Sequence, residues 1–136
     1  MTYRIASRLA VRVYYEDTDF SGVVYHASYL RFLERGRTEL LRAAGFSNRE
    51  MAREDGLAFA VRSLQIDYLS PAFMDDLLEV ATQIAQVGGA SLEFAQYVRR
   101  ADAELVAAKV RVAVLRGGRP VRIPRALRET LTQAEA

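Results

Sequence analysis

Cysteine is absent from the 136 residues, which excludes disulfides, thiolate catalysis and cysteine-based zinc sites together. Histidine occurs once, as His26. A metal would then have to be held almost wholly by carboxylates, so no metal site and no cofactor are expected. Long apolar runs are missing as well, and no stretch approaches the roughly 20 residues that a membrane-spanning helix needs. The opening Met-Thr-Tyr-Arg-Ile-Ala-Ser-Arg lacks the apolar core of a secretory signal. These two absences make a cytoplasmic location the expectation. Internal repeats, low-complexity tracts and linkers are also lacking.

Lysine is nearly absent, because every basic residue but Lys109 is arginine. A biased codon supply explains most of that excess, while guanidinium adds a capacity for bidentate phosphate binding. The formal net charge is +2 with a pI near 9.1, yet the basic residues are scattered among acidic ones rather than clustered. No nucleic-acid partner is therefore expected. Hydrophobic residues at 51% and charged ones at 26% are ordinary for a globular chain. The length suits one domain over residues 1–136, large enough to bury a core unaided.

Alternation of Val11, Val13 and Tyr15 with Arg12 predicts a half-buried strand over Arg8 to Tyr15. From Ser28 to Ala44 the period is helical, with Tyr29, Leu30, Phe32, Leu33, Gly36, Leu40, Leu41, Ala43 and Ala44 on an apolar arc covering about half the cylinder. So wide an arc predicts a helix cradled by a sheet. Arg37 falls inside it and needs a partner, for which Glu34 is the nearest candidate. Gly36 reads as a close-packing position and Gly45 as the helix stop. Ser47-Asn48-Arg49-Glu50 is a capping-box pattern that opens a short helix to Asp55.

Strands are then predicted over Phe59 to Leu69, with Leu64, Ile66 and Tyr68 on one face, and over Leu77 to Val87, Ala90 to Arg100 and Glu104 to Leu115. Gly88-Gly89 is the two-residue hairpin signal. Arg116 to Pro120 breaks the last strand, and a terminal helix is predicted over Pro124 to Gln133. Five strands and one long helix make an α+β fold with a largely antiparallel sheet.

The chemistry is concentrated between Tyr14 and Tyr29. There the chain leaves a strand, turns through Glu16, Asp17, Asp19 and Gly22, and runs into the long helix, placing a carboxylate beside a helix N-terminus. Unpaired N–H groups at such a terminus hold a developing oxyanion. A carboxylate on the preceding loop serves as nucleophile or general base. The competing reading makes Asp17 and Asp19 an Asx-type turn or helix cap.

The run Tyr15-Glu16-Asp17-Thr18-Asp19-Phe20-Ser21-Gly22-Val23-Val24-Tyr25-His26, with Tyr29 and Glu34-Arg35-Gly36-Arg37-Thr38-Glu39 after it, resembles the 4-hydroxybenzoyl-CoA thioesterase family. Within that family the likeness is greatest to the acyl-CoA thioesterases associated with the Tol-Pal system. It extends from about Val11 to Ile123-Pro124-Arg125-Ala126-Leu127. The resemblance implies a hotdog fold, with a five-stranded sheet wrapped around one long helix, and an enzyme that hydrolyses acyl-CoA to free acid and CoA. It puts the catalytic carboxylate on Asp19 and the carbonyl-polarising backbone N–H on His26. Substrate contacts fall on Gly22, Val23 and Tyr25, and contact with the CoA moiety on Ser91, which an exposed hairpin serine would explain equally well.

Acyl carrier protein is an alternative carrier, since the same phosphopantetheine arm would enter. A homodimer or homotetramer is implied, with the site at the dimer interface. Edge strands exposed by a curved sheet point the same way. Tyr14, Tyr15, Tyr25 and Tyr29 are expected as core and interface aromatics. A neighbouring Asp17 or Glu16 would raise the Asp19 pKa. Two rival functions remain: a binding or scaffold protein of the cell envelope, and a hotdog dehydratase, to which Asp-Thr-Asp-x-x-Gly is poorly suited.

Overall fold

The computed structural model describes residues 7–134, so most of the opening segment read for a leader lies outside the described residues. Strand β1 (Ser7–Arg12) is followed by a 3-10 turn (Tyr15–Asp17), the long helix α1 (Ser28–Ala43), and a short helix α2 (Asn48–Glu50) that continues as a π-helical turn (Met51–Asp55). Strands β2 (Leu57–Tyr68), β3 (Leu77–Val87), β4 (Ser91–Arg100), β5 (Ala103–Arg116) and β6 (Arg119–Pro120) lead to helix α3 (Arg125–Ala134). The sheet has the order β1-β3-β4-β5-β2 with β6 beside β5, and every pairing is antiparallel. This curled sheet around α1 is the expected hotdog fold, with a two-residue sixth strand added.

Helix α1 packs on β1, β3 and β4. Its buried residues Tyr29, Phe32, Leu33, Gly36, Leu40 and Leu41 belong to the predicted arc, and fully burying a residue such as Phe32 contributes roughly 1.5–3 kcal/mol. Leu30 and Ala43, also counted in the arc, are exposed. Gly45 (φ +94) completes a Schellman stop, with Phe46 N–H on Leu41 O and Gly45 N–H on Arg42 O. Ser47 caps α2 by accepting the Glu50 N–H.

Gly36 is where helix and sheet come closest. A Cβ there would lie 2.7 Å from Thr82 Oγ1, 2.8 Å from Val80 Cγ1 and 3.0 Å from Gln96 Nε2. Beneath it, the buried Gln96 donates to both Leu33 O and Thr82 Oγ1, and its Oε1 accepts from Arg37 at 2.9 Å. Gln96, not Glu34, is thus the direct partner of Arg37. Burial lowers the Arg37 pKa, and the nearby Glu34 charge opposes that shift.

Three expectations need correction. The first strand ends at Arg12 rather than Tyr15: Val13 still pairs with Asp75 and Asp76, but the Asp17 carboxylate captures the Tyr14 N–H and closes the chain into a turn. Of the four tyrosines Tyr29 is a core residue, while Tyr15 (80% exposed), Tyr14 and Tyr25 lie at the surface, so the core part of that expectation holds for Tyr29 alone. The β3–β4 connection is three residues long, and neither Gly88 nor Gly89 has a positive φ. Instead, Gly117 (φ +59) and Gly118 (φ +76) form the two-residue turn in which both central residues are left-handed, and they join β5 to β6.

Gly36→Val should lower the unfolding free energy by about 2 kcal/mol, within the usual range for overpacking. Thr82 and Val80 are stiff β-branched neighbours, and Gln96 is held by three hydrogen bonds. Urea unfolding would check this; unchanged stability would show that the helix can lift off the sheet without loss.

Candidate active site

The loop after the 3-10 turn is a miniature hairpin. Thr18 and Val24 bridge, the Asp19 N–H donates to Val23 O at 2.9 Å, and the Gly22 N–H reaches Asp19 O at 3.2 Å. Gly22 has φ +80, which a side chain would strain. The Asp19 carboxylate accepts from the N–H of Ser21 at 2.8 Å and its hydroxyl at 2.6 Å. The Asx-type turn considered for Asp19 is therefore formed, and it leaves the group exposed and anionic. The Ser21 hydroxyl and N–H hold its pKa below the usual carboxylate value, opposite to the expected upward shift from a neighbouring carboxylate.

Asp17 differs from Asp19 in being buried, with 6% exposure. Its Oδ2 accepts the Tyr14 N–H at 2.8 Å, and Arg31 lies 3.5 Å from Oδ1. Its carbonyl accepts the Tyr25 N–H at 2.9 Å and the Ser28 hydroxyl at 3.1 Å. The Ser28 N–H takes Tyr25 O at 2.8 Å, whereas the His26 N–H enters none of these backbone bonds. His26 thus precedes Ala27, the N-cap of α1, with its N–H unclaimed by the loop. Its ring stacks obliquely on Tyr25 at 4.5 Å, and its carbonyl accepts the Tyr68 hydroxyl.

A second segment holds the loop from the other side. Val24 N–H donates to Ala72 O, Met74 N–H to Gly22 O, and Val23 bridges Phe73. That segment is itself clamped by Asp76, whose Oδ2 accepts from the Phe73 N–H at 2.9 Å and from Arg100 at 2.7 Å. Arg100 also reaches Pro71 O and sits over the Phe73 ring at 5.7 Å.

Two clefts complete the picture. One, of about 360 Å³, lies between α1 and β2 and is lined by Glu34, Arg37, Leu41, Phe59 and Phe94 among others. The other, of about 400 Å³, brings Ser91 together with Arg62, Ser63 and Arg111. Asp19, Gly22, Val23, Tyr25 and His26 share one loop, but none of them lines either cleft, and Ser91 stands apart on β4. Among the described residues no three of His, Asp and Glu gather as metal ligands.

Comparison with known proteins identifies the family. The family model of the thioesterase superfamily matches residues 21–107. The chain belongs to that superfamily. The acyl-CoA thioesterase YbgC of Haemophilus influenzae is 49% identical over 85% of this chain and 86% of its own length. A probable thioesterase from Bartonella henselae superposes with TM-score 0.83 at 45% identity, covering 86% of this chain and 98% of that one. A Thermus thermophilus thioesterase complexed with coenzyme A and zinc gives 0.85 at 26% identity, over 98% and 97%.

For a member of this superfamily, the sequence reading overlooked Tyr68, Arg31 and the Asp76–Arg100 clamp. Tyr68 was placed on the right face of its strand but without a role. The acidic pair Asp75-Asp76 and Arg100 are 24 residues apart in sequence, and no local pattern links them.

The clamp is open to a pH test. Burial would raise the Asp76 pKa, but the Phe73 N–H and Arg100 outweigh it and leave the value below 3.8. The folded chain therefore binds this proton more weakly than the unfolded one. The stabilisation is complete above the ordinary carboxylate value and is lost as pH falls through the lower folded value. Asp76→Asn should unfold at lower temperature than wild type at neutral pH, and the gap should narrow as pH falls below the ordinary carboxylate value. A gap independent of pH would mean that charge has no part in the clamp.

Proposed function

We propose that this chain is an acyl-CoA thioesterase in which Asp19 attacks the thioester carbonyl while the His26 N–H and the start of α1 polarise it. The observation that carries the proposal is the loop itself. One buried residue, Asp17, anchors both its ends, leaving an ionised carboxylate at its tip and an unclaimed N–H at the helix entrance. The YbgC relatives of this chain carry the name acyl-CoA thioesterase, which supports the substrate class.

The carbonyl oxygen accepts from His26 N–H, where a preorganised donor stabilises the charge that develops in the transition state. An Asp19 oxygen bonds to the carbonyl carbon, the C–S bond breaks, and CoA leaves as thiolate. Water then cleaves the resulting anhydride, releasing the acid and restoring the carboxylate. General-base activation of water is the other route. The Asp19 carboxylate, exposed and held by Ser21, serves either step.

The acyl group would extend from the loop towards the cleft between α1 and β2. Tyr68 of β2 meets His26, and a separate cleft lined by Glu34, Arg37 and Phe59 lies between the same helix and strand. Ser28 to Glu34 spans about 9 Å of helix. Arg62 and Arg111, beside Ser91, offer guanidinium groups to the phosphates of CoA.

The site as built by one chain lacks an outer wall. Edge strand β2 exposes Val61, Leu64 and Tyr68, and Leu69 just beyond it is exposed too. A second copy pairing along that edge would cover these residues and supply that wall.

Asp19→Asn keeps the shape and removes the charge, and should reduce acyl-CoA turnover at least about a hundredfold. His26→Ala retains the backbone donor and should cost far less. An Asp19→Asn variant within a few-fold of wild type would remove Asp19 from the chemistry. Specific activity should also fall with dissociation across a dilution series followed in parallel by sedimentation. A fully active monomer would show that one chain completes the site.

A further inference from the structure

Tyr68, the last residue of β2, is tied to the loop from the sheet. Its hydroxyl donates to the His26 carbonyl at 2.8 Å, its ring meets the His26 ring edge-on at 6.3 Å, and it packs at 5.6 Å on Tyr29. Tyr29 is buried, and its own hydroxyl accepts the Ala72 N–H at 3.2 Å. Tyr68 thus rests on a fixed support.

Residues 25–28 form a turn closed by the Ser28 N–H on Tyr25 O. The peptide between Tyr25 and His26 carries that carbonyl and, being planar and trans, also carries the His26 N–H on its far side. The central peptide of the turn, between His26 and Ala27, carries the carbonyl that Tyr68 holds. Orientation of a central peptide is the freedom by which turn types differ. A bond to its carbonyl restrains the backbone torsions of His26 and, through them, the direction of the neighbouring N–H.

We infer that Tyr68 is a positioning residue for the reaction, holding the His26 peptide so that the adjacent N–H stays aimed at the thioester carbonyl. The inference rests on the reading of His26 given above. Burial raises the pKa of the Tyr68 hydroxyl, so it remains a protonated donor at neutral pH.

Tyr68→Phe removes the hydroxyl and keeps the ring, while Tyr68→Leu removes both. Loss of one neutral hydrogen bond predicts that kcat for acyl-CoA falls about two- to tenfold in Tyr68→Phe with KM nearly unchanged, since a misaimed donor is felt mainly in the transition state. In nuclear magnetic resonance spectra of the same variant, the amide signal of Ala27, which shares the peptide with the His26 carbonyl, should move. The melting temperature should stay near that of wild type. A Tyr68→Phe enzyme with wild-type kcat, with loss confined to Tyr68→Leu, would reduce Tyr68 to a packing residue and overturn the inference. Running Asp19→Asn alongside separates the two ideas: full activity there would overturn the proposed mechanism, whereas the role of Tyr68 is read from kcat and the Ala27 signal of its own variant.

Discussion

The arrangement of the loop depends on the hydrogen bonds made by Asp17. A carboxylate with 6% exposure is costly to bury unless paired, and here the Tyr14 N–H and the Arg31 guanidinium meet it. Its carbonyl meanwhile receives the Tyr25 N–H and the Ser28 hydroxyl. The end of β1, the far side of the loop and the first turn of α1 are thus joined at one residue. Asp19 and His26 hang from the same anchor, so their separation is set by hydrogen bonds rather than by loop flexibility.

The sheet supplies the second constraint. Helix α1 covers β1, β3 and β4, and its approach is as close as Gly36 permits. Little of the helix is left to shield β2, whose Leu64 and Tyr68 are exposed on the face that looks toward the helix entrance. An uncovered edge strand is a surface that a second copy of the chain can use. Assembly along that edge and completion of the site are coupled in the proposed mechanism.

The loop is supported from three directions: by Asp17 beneath it, by the Ala72–Met74 segment along its flank, and by Tyr68 from the end of β2. The flank depends in turn on Asp76 and Arg100. Asp19 itself bonds only to its own loop among the hydrogen bonds described, with Ser21 lowering its basicity. A carboxylate held this way is ionised and exposed, as either attack on a carbonyl or activation of a water requires.

Much of this was determined by local sequence. The helix arc, the Gly45 stop, the Ser47 cap and the Gly36 contact follow from periodicity, left-handed glycine and steric volume, which act over a few residues. The loop motif likewise carried its family resemblance in consecutive residues, and with it the expectation of a hotdog thioesterase. Only the tertiary structure decided which aspartate is buried, that Arg37 pairs with Gln96 rather than Glu34, that Tyr15 is exposed, and that Tyr68 reaches the His26 carbonyl. The Arg37–Gln96 and Tyr68–His26 bonds join residues 59 and 42 positions apart, which only the packing of helix and sheet brings together. Where two partners are both in range, as with Glu34 and Gln96, the packing of helix on sheet selects one, and one-dimensional periodicity holds no record of that choice.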